Sequence, residues 1–499
     1  MASDTLTPCG RRRFLQGAAS GLAFGALGTM VRPAFAQSSP GLRLEWQQFR
    51  NTSGYASYID AIARMRASSD QNDPNSLAFW ANAHAQLCPH GVPYFLAWHR
   101  GFIALFEQQL RIISGNDGLM LPYWDFYAAP TLPSEFTDPA SGNPLYTRRV
   151  NLDMRGALSL MPFDARFYNF GRGTAYAFEA LMESAPHDTC HNFIGGAMIT
   201  MSAPLDPIFY IFHCNIDRLW HAWALPDGRG MPWIADSYWS GSHRYGAGVS
   251  MPREQTYYPG RLGYDYSDVS MPSALPPLAR SATLRKVSSP AHEANGALTA
   301  MQARPPLAAL PRSAPRTLSA GALSLGGCAR FALRDGSFSA GIAPGGSHRH
   351  ALRALHAALL DEENPSRKEG YRSMHVVLDD LALINLGSFG GYFYQVFLNL
   401  PESGTSSPER HFLGTVGPFE IAGAKHHGKA VLRFDASHVL AGLEQADLDA
   451  FAVSFVRING ANYPKGESVS VGEMRIEISQ KAPSQRRRAA SEPKGKCYC

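Results

Sequence analysis

Residues 88–100 read CPHGVPYFLAWHR, and WANAH at 80–84 stands just before them. His84, Cys88, His90 and His99 therefore fall close together among aromatic side chains. One such cluster decides little, because a histidine among apolar neighbours is ordinarily a hydrogen-bonded core or capping residue. A second cluster decides more. His187-Asp188-Thr189-Cys190-His191 sets two imidazoles at i and i+4, on one face of a helix. His213 follows inside DPIFYIFHCNIDRLWHAW (Asp206–Trp223), whose Asp-Pro opening suits a helix start, since proline is tolerated in the first turn.

The chain thus carries two sets of three, His84/His90/His99 and His187/His191/His213, with no carboxylate or thiolate filling the same helical slots. All-nitrogen sites suit copper, zinc, iron or nickel, and a single His-rich site with an open position also suits catalytic zinc. Two His₃ sets meeting in one buried helical bundle favour a pair of coppers, with dioxygen as the co-substrate that the open positions would admit.

The chain has 499 residues, 45% of them apolar and 17% charged, with a formal net charge of +5. That length exceeds one small core, and the composition is ordinary for a globular protein. The basic clusters lie at the two ends, so nothing points to nucleic acid. At the N-terminus, Arg11-Arg12-Arg13-Phe14-Leu15 fits the twin-arginine pattern R-R-x-F-L; an apolar stretch from Gly17 to Val31 and Ala34-Phe35-Ala36 follow. The stretch falls short of the ~20 residues of a spanning helix. Residues 1–36 are therefore expected to be a twin-arginine signal peptide. The mature protein is expected to be periplasmic or secreted, with no membrane association after cleavage.

From residue 37 to 270 the pattern is mainly helical; Tyr58–Arg66 and Arg100–Ile113 repeat apolar residues every three and four positions. Residues 271–324 turn Pro-, Ala- and Ser-rich and read as a linker. Beyond 325 the period becomes two in YFYQVFLNL (392–400), KAVLRF (429–434), FAVSFVRI (451–458) and SVSVGEMRIEIS (468–479). This predicts an all-β sandwich over 325–480. His348, His350, His426 and His427 are expected in its solvated Gly-rich loops, and residues 481–499 form a basic, disordered tail. The fold class is a mainly α domain, a helical bundle around a metal pair, followed by that sandwich.

CPHGVPYFLAWHR, EALMESAPHDTCH and DPIFYIFHCNIDRLW resemble, in order and separation, the two copper signatures of the tyrosinase, catechol oxidase and molluscan haemocyanin superfamily. The resemblance runs from about residue 41 to 270. It implies two copper ions in a dinuclear type-3 centre, with His84, His90 and His99 on copper A and His187, His191 and His213 on copper B. It implies a thioether between Cys88 and His90, while Cys190 and Cys214 read as packing residues. Glu183, in E-S-A-P-H, matches the glutamate that holds a water able to take a phenol's proton. Asp188 stands where many relatives carry Asn and is expected to help Glu183 orient that water; Asn192 is expected to orient substrate. Phe209 matches the aromatic stacked under the metals and is placed in the substrate pocket. Asp217 and Arg218 read as structural ion-pairing residues, and Tyr264 and Tyr266 match a motif that pairs with an N-terminal arginine, here Arg43. Phe212 replaces a histidine common in relatives. The later segments GSFGGYFYQVFLN and GEMRIEIS resemble the lid domain of plant polyphenol oxidases, which inserts one side chain into the copper pocket.

The expected activity is that of a tyrosinase: ortho-hydroxylation of small monophenols and oxidation of ortho-diphenols to quinones by dioxygen, with quinone polymerisation to pigment as a family trait. Three alternatives stay open. They are a catechol or ortho-aminophenol oxidase without monophenol activity, a haemocyanin-like oxygen carrier, and a precursor kept silent by its β-domain. A homo-oligomer is compatible with all of these. Cys497 and Cys499 form a soft Cu(I) donor pair or simply a reactive end.

Overall fold

The computed structural model describes residues 40–481 apart from 141, 167, 173–175, 247, 278–303, 319–320, 361–369, 402–407, 427 and 429. The expected signal segment, His427 and the tail from residue 482 onward lie outside the described residues, as does the middle of the expected linker.

Three helices carry the first part of the chain: Leu77–Leu87, Phe95–Ser114 and Ile208–Ala224. Ser76 caps the first, its hydroxyl accepting from the Ala78 N–H at 3.1 Å. The second stops where Gly115 adopts a left-handed conformation (φ 66°). The third begins just after Asp206-Pro207, with the Asp206 carboxylate accepting from the Ile208 N–H at 3.1 Å. Their apolar faces interlock through aromatic rings. Trp80 meets Phe102 and Phe106 edge-on, and Phe106 stacks on Tyr210 with centroids 3.5 Å apart. A helix starting at Gly54 contains the expected Tyr58–Arg66 segment and packs Tyr58, Ile62 and Met65 into the same core.

A buried polar knot ties the ends of this domain together. Gly41–Arg43 pairs in parallel with Tyr264–Tyr266, placing Arg43 opposite Tyr266. The Arg43 guanidinium donates to Glu107 at 2.9 Å and to the Tyr266 hydroxyl at 3.1 Å, and lies 3.5 Å over the Tyr264 ring. Asp217 accepts from both tyrosine hydroxyls, at 2.7 and 2.5 Å, and from Arg100 at 2.5 Å. Burial opposes ionisation of Asp217, but Arg100 and Arg43 outweigh it and hold the carboxyl below its ordinary range. Arg218, next in sequence, turns to Asp125 and Asp268 instead.

The second part is built on two antiparallel sheets. One runs in the order Phe412–Val416, Tyr392–Leu398, Phe451–Asn459, Phe338–Ile342. The other runs Leu432–Asp435, Ser373–Leu383, Val469–Ser479, Ala322–Leu333, Arg312–Ser313, with Arg316–Thr317 also on Ala322–Leu333. Strand pairing thus begins inside the stretch expected as linker, where Arg312–Ser313 and Arg316–Thr317 cover the free edge of Ala322–Leu333. The domain also carries helices. Gly346–Leu360 contains His348 and His350, and Pro418–His426 ends on His426, so these histidines lie in helices, not in the expected loops.

Tyr392–Leu398 is buried along its whole length. Tyr392, Tyr394, Val396 and Leu398 belong to the core between the sheets, whereas Phe393 and Phe397, with Phe412, Val456 and Ile458, join the core of the helical domain. The four-stranded sheet therefore lies between two cores, and its outer face is an interface.

Removing the Asp217 carboxylate would leave Arg43 and Arg100 buried with a partner missing. Asp217→Ala is expected to cost about 3–5 kcal/mol, read by urea unfolding of the copper-free chain.

Candidate metal centre

Each histidine set is assembled from helices and the turns between them. His84 lies in the last turn of Leu77–Leu87 and His99 in the first turns of Phe95–Ser114. His90 hangs on the connection, which turns through left-handed Gly91 (φ 71°) and Tyr94 (φ 78°). His187 lies in a wide turn, Glu183–Asp188, whose Ala185 is extended, His191 in the short helix Thr189–Ile194, and His213 within Ile208–Ala224.

The rings converge. In the first set the centroids lie 5.1 Å (His84–His90), 5.6 Å (His84–His99) and 5.6 Å (His90–His99) apart. In the second they lie 4.5 Å (His187–His191), 4.9 Å (His187–His213) and 5.8 Å (His191–His213) apart. The sets touch: His99 stacks on His213 at 4.3 Å, and His90 faces His187 at 5.8 Å. Donor atoms of His84, Cys88, His90 and His99 all lie within 4.8 Å of one another, as do those of His99, His187 and His213. The second grouping leaves out His191, but the ring distances place His191 firmly with His187 and His213.

The hydrogen bonding shows which nitrogens are left for a metal. Nδ1 of His84, His99 and His191 donates to the carbonyls of Met201 (2.7 Å), Phe95 (2.9 Å) and Met198 (2.5 Å). Nδ1 of His187 donates to the Asp188 carboxylate at 2.8 Å. Each such bond fixes the tautomer that leaves Nε2 as a bare lone pair. Nε2 of His84, His187 and His191, and both ring nitrogens of His213, are buried with no hydrogen-bond partner among the described residues. Burial makes protonation costly as well: it lowers His84 to about 4 and His191 to about 3, and burial plus neighbouring imidazoles hold His99, His187 and His213 well below the ordinary range. Neutral, anchored imidazoles with orphaned nitrogens suit two nitrogen-ligated metal ions. The two His-rich clusters are those of a dinuclear type-3 copper centre.

The other residues picked out from sequence fall around this centre in ways only partly foreseen. Cys88 Sγ lies 3.6 Å from Nε2 of His90 and 3.4 Å from Nε2 of His99. Glu183 is buried; its Oε1 accepts from the Gly91 N–H at 2.6 Å and its Oε2 from the Arg172 guanidinium. Asp188 was expected to assist Glu183, but its hydrogen bond goes to His187, the ligand beside it. Asn192 is held by the β-domain: its amide donates to Glu420 at 2.7 Å and accepts from the Phe419 N–H at 2.8 Å. Phe209 lies entirely buried beneath the histidines, 5.2 Å from His84 and 4.1 Å from His213, and is not in the cavity wall as expected. Its place follows from the Ile208–Ala224 helix, on which it precedes His213 by one turn.

Two residues were not foreseen. Phe419 stacks on His191 at 4.1 Å and lies 5.2 Å from His90 and 5.5 Å from His187, so it closes the open side of the centre. Gly417 lets it in, because any Cβ there would stand 2.3 Å from the Asn192 amide. Beside Phe419 lies a cavity of about 580 Å³, lined by His90, Glu183 and Asp188 from one side and Phe412, Glu420 and Phe434 from the other. The second is Arg172. No spacing relates either residue to the ligands; a Pro-Phe at a helix start and a lone arginine between glycines carry no signal by themselves.

Residues 56–166 and 140–225 match the family model described as the common central domain of tyrosinase. The tyrosinase HcTyr1 of Hahella sp. (strain CCB-MM4) is 30% identical over 272 residues, which cover 46% of this chain and 57% of that protein. The tyrosinase-like protein phomQ1 of Diaporthe leptostromiformis is 26% identical over 259 residues, covering 40% of this chain and 66% of that one. The chain thus spans less than two thirds of either relative. The structure of latent apple tyrosinase superposes on 89% of this chain and 98% of its own, with a TM-score of 0.51 at 19% identity, a likeness of fold alone. With both histidine clusters in place, residues 56–225 carry the central domain of the type-3 dicopper tyrosinase and polyphenol oxidase family, which is related to catechol oxidase and haemocyanin.

Copper titration of the chain is expected to saturate at two ions. His84→Ala and His191→Ala are each expected to leave about one, read by metal analysis after desalting, since each removes one ligand of a three-nitrogen set.

Proposed function

We propose that the chain is a copper phenol oxidase of the tyrosinase kind, exported in the folded state by the twin-arginine route and held latent by its own β-domain. The observation that carries the reading is the cavity that joins the histidine centre to Glu183, with one aromatic side chain, Phe419, in the way. His84, His90 and His99 would hold one copper and His187, His191 and His213 the other, and the pair supplies electron transfer between a bound phenol and dioxygen.

The chain's own residues supply position and a proton acceptor. A carboxylate offers about four acceptor positions. Glu183 uses one on each oxygen, for Gly91 and Arg172, and keeps the others for a phenol hydroxyl or an intervening water. Asp188 fixes the ring plane and tautomer of His187. Phe209 and the aromatic core beneath keep that side of the centre dry. Cys88, whose Sγ lies 3.6 Å from Nε2 of His90, would form the thioether with a ring carbon of that imidazole. One S–H and one C–H would be lost, one C–S bond formed, and dioxygen would take the two electrons and protons. A tryptic peptide two hydrogens light is the expected mark.

The pairing of Asp188 with His187 rather than with Glu183 favours a second reading, a diphenol oxidase that never deprotonates monophenols. Among the described residues no helix is long and apolar enough to cross a membrane.

Oxygen uptake by the copper-loaded full chain distinguishes these readings. Phe419→Ala is expected to raise catechol oxidation at least about tenfold over the parent chain, since it opens the route that Phe419 blocks. It should also reveal oxidation of tyrosine-like monophenols. Catechol turnover alone would favour the diphenol oxidase. Oxygen binding without turnover of either substrate would favour a carrier.

A further inference from the structure

Carboxylates outnumber cations in the wall above the histidines. Glu183 and Asp188 are buried there, Glu179 is buried behind the wall, and Glu420 reaches in from the β-domain with one oxygen buried and unpartnered among the described residues. Two arginines line the cavity. Arg433 is engaged by Glu477 on its own sheet, whereas Arg172 turns its guanidinium to Glu183. Tyr176, His375, Asp435 and His438 complete the titratable lining; Asp435 lies opposite His375 in strand register, and burial keeps His375 below its ordinary range.

Arg172 is not a loose surface residue that happens to swing inward. Its backbone N–H donates to Glu179 Oε2 at 3.1 Å, and Glu179 Oε1 accepts from the Leu96 N–H at 3.4 Å. Glu179 thereby staples the Arg172 loop to the helix that carries His99. Glu183 is held from the opposite side by the Gly91 N–H, the residue after His90. Its two oxygens are thus both tied to elements of the first histidine set, one through the Gly91 backbone and one through Arg172, while its own turn carries His187 of the second.

We propose that Arg172 is the positioning residue for the proton acceptor: its guanidinium keeps the Glu183 carboxylate ionised and turned so that its remaining lone pairs face the cavity. This rests on the reading of Glu183 given above. The electrostatics agree. Burial pushes the Glu183 carboxyl upward, and Arg172 is the largest opposing influence. Glu179 is pushed up to about 7, mainly by burial, with Arg172 again opposing. Without Arg172, Glu183 would be a buried carboxyl with one backbone donor, and it would lose its proton only at higher pH.

The test uses the copper-loaded full chain carrying Phe419→Ala. Arg172→Gln is expected to lower monophenol turnover by about ten- to a hundredfold, within the range of a positioned acid–base group, and catechol turnover by less than about threefold. The acid limb of the monophenol profile should move to higher pH, and Arg172→Lys should bring it most of the way back. A readout without metal accompanies this. In the copper-free chain, the melting temperature lost through Arg172→Gln should be larger at about pH 8 than at about pH 5, because a carboxyl with a raised folded pKa loses stability as pH rises through it. That difference should shrink in a Glu183→Gln background, with Glu179, which Arg172 also holds down, accounting for what remains. An unchanged monophenol-to-catechol ratio and an unmoved acid limb in Arg172→Gln would overturn the proposal whatever the melting curves show. Glu183→Gln alone separates the two layers. If it retains monophenol oxidation, the acceptor reading falls and takes this proposal with it. If it loses that oxidation while Arg172→Gln does not, only the role of Arg172 falls.

Discussion

The structure depends on keeping six imidazoles neutral, oriented and out of water. A buried polar nitrogen without a partner costs about 1–3 kcal/mol, and this centre holds several. Nδ1 anchors lower that cost for four of the ligands and choose the tautomer, with three backbone carbonyls and one carboxylate as acceptors. The carbonyls of Met198 and Met201 come from the irregular segment between the Thr189–Ile194 helix and the Ile208–Ala224 helix. That segment, which holds two short 3-10 turns, presents these two carbonyls to ligands on two different helices. The aromatic rings around the histidines exclude water, and metal binding would satisfy the nitrogens left over.

The β-domain extends the same arrangement. One face of its four-stranded sheet carries the core of its own domain, and the other contributes Phe393, Phe397 and Phe412 to the helical core. Separating the domains would expose those rings at about 25 cal/mol for each Å² of apolar surface. Moving the Pro418–His426 helix alone would disturb the Phe419 ring, the Asn192–Glu420 pair and the burial of Ile421 in the β-domain core.

The histidine ligands and the helical domain were legible because their determinants are local. The i, i+4 pair in HDTCH, the Asp-Pro helix start and the apolar period each act within a few residues. The two-period strands were legible for the same reason, although Tyr392–Leu398 alternates between two cores rather than between core and solvent. What sequence did not disclose is set by contacts between distant segments. Phe419 meets His191 across more than two hundred positions, Arg172 finds Glu183 only because a loop folds back, and Asp188 chooses His187 over Glu183 for geometric reasons. Asn192 and Phe209 were assigned by family position. The structure shows the first occupied by the lid and the second beneath the centre rather than in the cavity. The helix Gly346–Leu360 was missed because the glycines and histidines at its start outweighed the apolar repeat that follows.

Anomalous diffraction at the copper edge from crystals of the copper-loaded full chain tests the central claim most directly. Two peaks are predicted, one within bonding distance of His84, His90 and His99 and the other of His187, His191 and His213, with Phe419 on their open side. A single peak, or a second peak held by His99, His187 and His213 with His191 turned away, would contradict it.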